Sequence, residues 1–153
     1  SIAIRLHRAR PDYQPIFELL DFTTLTEDRH GRGHLAEAMV KLDVDGDVVH
    51  TAAEGNGPVN ALDMALRKAL MPNYPTIAEL KLVDYKVRIL DSESATGATT
   101  RVLIDTQMGS QRWSTVGAGT DIIRASWLAL IDGIEYGLCI ANQAKAPEVA
   151  IGD

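Results

Sequence analysis

The apolar residues of this chain change period at defined points. Ala36, Ala38, Val40, Leu42 and Val44 alternate with Glu37, Met39, Lys41 and Asp43, the two-residue period of a half-buried strand. Asp45-Gly46 separates this run from Val48 to Glu54, and Asp-Gly is the preferred pair for a two-residue hairpin, so 48–54 is predicted as the antiparallel return strand. From Val59 the apolar positions recur at Leu62, Leu66 and Leu70, which is a helical period. The switch falls across Glu54-Gly55-Asn56-Gly57-Pro58, a strand-turn-helix corner where Pro58 suits the first helical turn. Upstream, Ile16 to about Glu27 predicts a first strand around Phe17-Glu18-Leu19-Leu20-Asp21-Phe22, and 28–34 a loop. The first unit reads strand, strand, strand, helix.

The second half repeats the design after Met71-Pro72-Asn73-Tyr74-Pro75 stops helical propagation. Leu80 to Asp91 is predicted as a strand with Val83, Tyr85, Val87 and Ile89 on one face and Asp84, Lys86 and Arg88 on the other. Residues 92–98 form a small, polar loop, Thr99 to Thr106 is a β-branched strand, 107–110 a turn and Gln111 to Val116 a sixth strand. Gly117-Ala118-Gly119 is the second corner; both corners read Gly-x-Gly, which sets Gly117 in the place of Gly55. The closing helix has Thr120 as its predicted N-cap, Asp121 in its first turn, and a face of Ile123, Trp127, Leu130, Ile134 and Leu138. The predicted fold is therefore α+β, two pseudo-symmetric βββα units packed together and dimerising, since a unit of this size buries its apolar face only against a neighbour. Residues 1–15 read as a linker or the tail of a preceding segment, 16–141 as the folded region (unit one about 16–71, unit two about 80–141), and 142–153 as a frayed tail. The chain opens on Ser1 without methionine, so a fragment of a longer protein is expected.

Composition narrows the class. With 153 residues, 46% hydrophobic and 24% charged, the chain can bury a core. A net charge of −6 and a pI near 5.1 argue against a nucleic-acid partner, which needs a clustered basic surface. One cysteine, Cys139, excludes an internal disulfide framework and reads as a buried thiol on a helix. No apolar run reaches the eighteen residues of a membrane span and no signal peptide precedes the first strand, so the expected location is the cytoplasm.

Candidate chemistry points to binding rather than turnover. His30 and His34 are separated by two glycines and do not make the paired helical ligands of a zinc site; His7 and His50 are isolated, and no catalytic or metal-binding residue is predicted. Gly55-Asn56-Gly57-Pro58-Val59-Asn60 lacks the third glycine of a dinucleotide fingerprint and sits among hairpins rather than a parallel crossover. Each corner reads either as a tight turn or as a place for a carboxylate or phosphate at a helix N-terminus, whose free N–H groups and partial positive charge favour an anion.

Blocks spread over most of the chain carry a family resemblance. Ala53-Glu54-Gly55-Asn56-Gly57-Pro58-Val59-Asn60-Ala61-Leu62-Asp63, Leu82-Val83-Asp84-Tyr85-Lys86-Val87-Arg88-Ile89-Leu90, Thr99-Thr100-Arg101-Val102-Leu103-Ile104, and Trp113-Ser114-Thr115-Val116-Gly117 with Ile122-Ile123-Arg124-Ala125-Ser126-Trp127 resemble the C-terminal regulatory (allosteric, LeuA-type) domain of the 2-isopropylmalate synthase and homocitrate synthase family. The Asp-Tyr-Lys-Val-Arg block and the Ala-Ser-Trp helix look most like the citramalate synthase branch. The resemblance implies a homodimer that binds isoleucine, or alternatively leucine, as an end-product effector. It also implies a parent acyltransferase condensing acetyl-CoA with pyruvate or another 2-oxo acid in a separate barrel. That barrel would hold the divalent metal, and no cofactor is expected in these residues. Effector contacts carried over by motif are Gly55, Gly57, Val59 and Asn60 on the first corner and Leu82, Tyr85 and Ile89 on the fourth strand. Thr96, Ala98 and Thr100 follow beside the loop, and Gly119, Thr120, Asp121 and Ile122 on the second corner. An amino-acid zwitterion needs donors for its carboxylate, acceptors for its ammonium (Asp84, Asp121 or backbone carbonyls) and an apolar slot, for which Val59, Leu82, Tyr85 and Ile89 are candidates. Read without the resemblance, Leu82, Tyr85 and Ile89 are ordinary core. A dimerisation module that senses nothing would use the same elements with both corners empty.

Overall fold

The computed structural model describes residues 16–29, 33–90 and 99–145, together with the isolated positions 9 and 11. Strands β1 (Phe17–Arg29), β2 (Gly33–Val44) and β3 (Asp47–Gly55) form one antiparallel sheet in that order, followed by helix α1 (Pro58–Leu70). A 3-10 turn (Pro75–Glu79) leads to β4 (Leu80–Leu90), β5 (Thr99–Met108) and β6 (Gln111–Gly119), a second three-stranded antiparallel sheet, and then to helix α2 (Ile122–Lys145). This is the predicted pair of βββα units in an α+β fold.

The pattern that predicts β2 is the pattern that buries it. Ala36, Ala38, Val40, Leu42 and Val44 are all buried, facing Leu62, Leu66 and Leu70 of α1 in one continuous core. At the Asp45-Gly46 turn both residues take positive φ (53° and 89°), as a type I′ hairpin requires, and Asp43 Oδ1 accepts the Gly46 N–H at 2.9 Å. Pairing extends further than the polar loop at 28–34 predicts, since Asp28 and Arg29 of β1 still lie opposite His34 and Gly33 of β2. In the second unit the turn is shorter than the predicted 107–110: β5 runs through Met108, and Gly109, with φ 60°, and Ser110 alone make the connection. The 3-10 turn has no counterpart in the sequence prediction. Asp63 and Arg67 of α1 are joined at 2.9 Å, and Arg67 also donates to the Ile77 carbonyl, which fastens this turn to the helix.

The internal symmetry has a different register from the one the Gly-x-Gly strings suggest. Thr51 Oγ1 donates to the Ala65 carbonyl, and Thr115 Oγ1 donates in the same way to the Ala129 carbonyl, so Thr115 is the counterpart of Thr51. Gly55 pairs with Ala36 at the end of β3 and Gly119 with Thr100 at the end of β6, in step with the two threonines. The corners therefore superpose Gly55 on Gly119 and Gly57 on Asp121, not Gly55 on Gly117. Gly117 lies inside β6, and a Cβ there would sit 1.9 Å from the Ala125 carbonyl oxygen. Its bare backbone serves close packing of strand on helix.

Strand β4 is out of step with simple alternation. The pairing slips between Leu82 and Asp84, leaving Val83 as an extra residue; β1 slips likewise between Leu19 and Asp21. Such a bulge re-phases the strand. Leu82 opposite Thr106 and Tyr85 opposite Ile104 thus share the face turned toward the helices, while Val83 leaves the face that alternation alone assigned to it. Helix α2 also runs to Lys145, beyond the Leu138 reached by its apolar period, and Cys139 on it is half-buried rather than buried.

Candidate effector site

At the first corner, α1 starts with Gly57 as N-cap in extended conformation (φ −162°, ψ 172°), so no left-handed backbone is needed there. Pro58 has no N–H, and the first intrahelical bond is Ala61 N–H to the Gly57 carbonyl at 2.9 Å. The N–H groups of Val59 and Asn60 precede that bond. No side chain caps the helix and no acidic residue stands in its first turn. Asn60 Oδ1 instead reaches back to the Asn56 N–H at 3.3 Å, and a Cβ on Gly55 would meet Asn60 Oδ1 and the Ala61 nitrogen at 2.5 Å. A Cβ on Gly57 would meet nothing within 4 Å. The outcome is an open N-terminus with backbone donors, held in place by Gly55 and Asn60.

The second corner is closed by its own side chain. Asp121, not Thr120, occupies the N-cap: its carbonyl accepts the Ala125 N–H at 3.0 Å and its Oδ1 accepts the Ile123 N–H at 2.7 Å. This carboxylate already takes the Ile123 N–H, the counterpart of the Val59 N–H at the first corner. Gly119 ends β6, Thr120 follows it, and Ile122 opens the helix at 43% exposure.

Along β4 the re-phased face carries Leu82, partly buried against the core, then Tyr85, Val87 and Ile89 at 42%, 37% and 68% exposure. Their neighbours on β5, Val102 and Ile104, are fully buried, so the edge strand extends an apolar strip beyond the cover of α2. Ile89 pairs with Thr100, and Thr100 with Gly119, which sets three predicted contacts in one row across the sheet. The Tyr85 hydroxyl is hydrogen-bonded to Ser126 Oγ at 2.9 Å. Asp84 faces the other way; its Oδ1 accepts the Tyr85 N–H and its Oδ2 lies 3.5 Å from Lys86 Nζ, which removes it as an acceptor for an ammonium beside Tyr85.

The predicted contacts therefore fall into two groups. Gly55, Gly57, Val59 and Asn60 lie at the end of the first sheet, and Ile89, Thr100 and Gly119, with 120–122, at one end of the second, while Tyr85 stands in the middle of β4 and Leu82 toward its other end. The two sheets share no strand pairing among the described residues, and one core runs through both units. Thr96 and Ala98 lie outside the described residues, as does His30. Ser126 is absent from the predicted contacts, and its only signal is a polar residue inside a buried helical run.

A cavity of about 810 Å³ opens elsewhere, beside β3, α1 and the 3-10 turn, with Ala52, Glu54, Met64, Arg67, Lys68 and Pro72 in its lining. None of the predicted contacts line it. Its cations are committed: Arg67 to Asp63 and the Ile77 carbonyl, and Lys68 to the Ala52 carbonyl at 3.3 Å. Burial pushes the Asp63 carboxyl above the usual carboxylate range, with Arg67 opposing the shift. Such a groove suits a zwitterion less well than the uncapped corner does.

The family model described as the LeuA allosteric (dimerisation) domain matches residues 4–138. The chain belongs to that family. It is similar to the (R)-citramalate synthase of Streptomyces coelicolor, 50% identical over 143 residues, covering 92% of this chain and 27% of that protein. The (R)-citramalate synthase of Geobacter sulfurreducens is 45% identical over 139 residues, 90% of this chain and 26% of that protein. The 2-isopropylmalate synthase of Aquifex aeolicus is 32% identical over 127 residues, 83% and 22% respectively. The chain thus spans about a quarter of the length of these relatives. No helix among the described residues is long and apolar enough to cross a membrane.

Proposed function

We propose that this LeuA-type domain senses an end-product amino acid, isoleucine in preference to leucine, and feeds back on a cytoplasmic citramalate synthase-like acyltransferase that condenses acetyl-CoA with pyruvate or another 2-oxo acid. The observation that carries the reading is the open N-terminus of α1, with Gly57 as an N-cap lacking any side-chain acceptor, in a unit whose partner unit caps itself. The ligand carboxylate takes the Val59 and Asn60 N–H groups, where the helix dipole favours an anion. The strip of Leu82, Tyr85 and Ile89 receives the aliphatic side chain. A homodimer would cover the exposed strip, and the dimerisation description of the matching family model supports one. The (R)-citramalate synthase names of two relatives support the citramalate branch, and isoleucine is the effector that the resemblance to that branch implies. Moving one methyl between γ- and β-branching in an apolar slot changes binding by about 1–3 kcal/mol, so the preference is graded.

Calorimetric titration of the chain with isoleucine, leucine and valine tests this. Saturable binding with isoleucine tightest is expected; a leucine preference would reassign the domain to the 2-isopropylmalate branch. The exposed strip on β4 also favours a plainer reading, a dimerisation module that binds no effector, and absence of binding for all three amino acids in a dimeric chain would establish it.

A further inference from the structure

Tyr85 and Ser126 form a polar pair that the symmetry-related positions lack. Phe22 stands in β1 where Tyr85 stands in β4, each the second residue after the extra residue of its strand. Leu62 stands in α1 where Ser126 stands in α2, each three positions before the helix carbonyl that accepts the third-strand threonine. Phe22 has no hydroxyl and stacks on Trp127, with ring centroids 4.6 Å apart. Among the described residues, the phenol and hydroxyl facing each other at 2.9 Å belong to the second unit, which carries the exposed apolar strip. Ser126 is fully buried, so its hydroxyl is a fixed partner rather than a solvated one.

We propose that Ser126 is a positioning residue that makes the effector pocket selective for an apolar side chain by holding the Tyr85 hydroxyl against α2. This rests on the reading that the β4 strip receives the effector. A free phenol beside the ligand offers both a donor and an acceptor and so welcomes a hydroxyl-bearing side chain. Held by Ser126, the same residue turns only its ring toward the pocket, alongside Leu82 and Ile89. An apolar slot of this kind rejects an isostere that adds a hydroxyl by a factor of about 100.

Valine and threonine share a shape and differ by a methyl for a hydroxyl, which makes their affinity ratio the readout. Competition of each against isoleucine is measured for the parent chain, Ser126→Ala, Tyr85→Phe and the double variant. Ser126→Ala is expected to lower the valine-to-threonine ratio about tenfold, because the phenol is released toward the ligand. Tyr85→Phe and the double variant should keep the parent ratio within about twofold, since neither leaves a phenol in the pocket. A Ser126→Ala chain that weakens both amino acids equally, or a Tyr85→Phe chain whose ratio drops as far, overturns the positioning role. A parent chain that binds none of the three amino acids overturns the effector reading itself and this inference with it.

Discussion

Gly57 and Asp121 occupy the same place in the two units, each accepting the first intrahelical bond of its helix through the backbone carbonyl, and only one of them has a side-chain acceptor. The frames around them match, down to the threonine of the third strand bonded to a helix carbonyl. One helix N-terminus is consequently closed by the chain itself and the other is left to solvent or a ligand. Repetition of the unit supplied two potential anion sites, and one carboxylate decides which remains available.

The glycines of the two corners can be separated by substitution. Gly117→Ala should give the largest effect, because its Cβ would lie 1.9 Å from the Ala125 carbonyl oxygen and 2.8 Å from the Ala129 nitrogen, and backbone cannot step aside as a side-chain tip can. A loss of about 3 kcal/mol in urea unfolding is expected. Gly119→Ala, where the nearest atom is 3.7 Å away and φ is not positive, should stay within about 0.5 kcal/mol of the parent. Equal losses would show that Gly117 and Gly119 serve one purpose.

Gly57→Asp converts the open corner into a copy of the closed one. The new carboxylate should cap α1, raising stability by only about 0.3 kcal/mol because glycine is itself a tolerated N-cap, while isoleucine affinity falls on the order of 100-fold or more as two like charges compete for the same donors. Gly57→Ala is the control. With extended backbone and no atom within 4 Å of its Cβ, it should change affinity by less than about threefold. A folded Asp variant that binds isoleucine as the parent does would place the site elsewhere.

The reverse change is milder. Asp121→Ala removes the acceptor of the Ile123 N–H and should cost about 1 kcal/mol, read as a fall of about 3 °C in melting temperature. Asp121→Asn keeps an acceptor and should recover most of that loss. If Asn melts no higher than Ala, the carboxylate acts through its charge rather than as a cap.

Much of this architecture was legible because periodicity reports burial: the β2 alternation and the Leu62-Leu66-Leu70 repeat are both core. What periodicity does not show has one physical origin. Two Gly-x-Gly strings invite superposition on each other, yet Gly117 is there to let Ala125 approach and Gly57 to begin a helix, and composition cannot distinguish close packing from a cap. The opposite parity of Leu82 and Tyr85 admits a strand end, a bulge or an interface, and periodicity does not choose a bulge at Val83, because one extra residue leaves the alternation intact on either side while reversing its phase. Leu82 and Tyr85, of opposite parity in an ideal strand, share a face only because of it. Ser126 gives no signal of its role in the sequence, since a helix period records which positions are buried, not which buried position finds a hydrogen-bond partner across the interface.

The outer faces of the two sheets continue the comparison and carry its smallest expected effect. In the first sheet Lys41 sits between Asp21 and His50; the second has Asp105 between Asp84 and Ser114, two carboxylates opposite each other. Hydrogen bonds from Ser114 and Arg112, the latter at 2.7 Å, hold the Asp105 carboxyl below its usual value of 3.8. A lowered folded-state pKa means that the ionised form is favoured by folding, so its contribution is fully present above pH 3.8 and is lost as pH falls through the folded value. Asp105→Asn should therefore reduce stability at pH 6 and converge on the parent as pH drops below the carboxylate range. Since Asp105 is partly solvated and Arg112 is half-exposed, the difference belongs to the small class of surface ion pairs, and about 0.5 M salt should shrink it further. Melting curves of the two chains at pH 3 and pH 6 check the sign. A gap that widens toward acid would mean that the protonated carboxyl is the form the fold prefers, and the bonds from Ser114 and Arg112 would not be what holds that corner of the sheet.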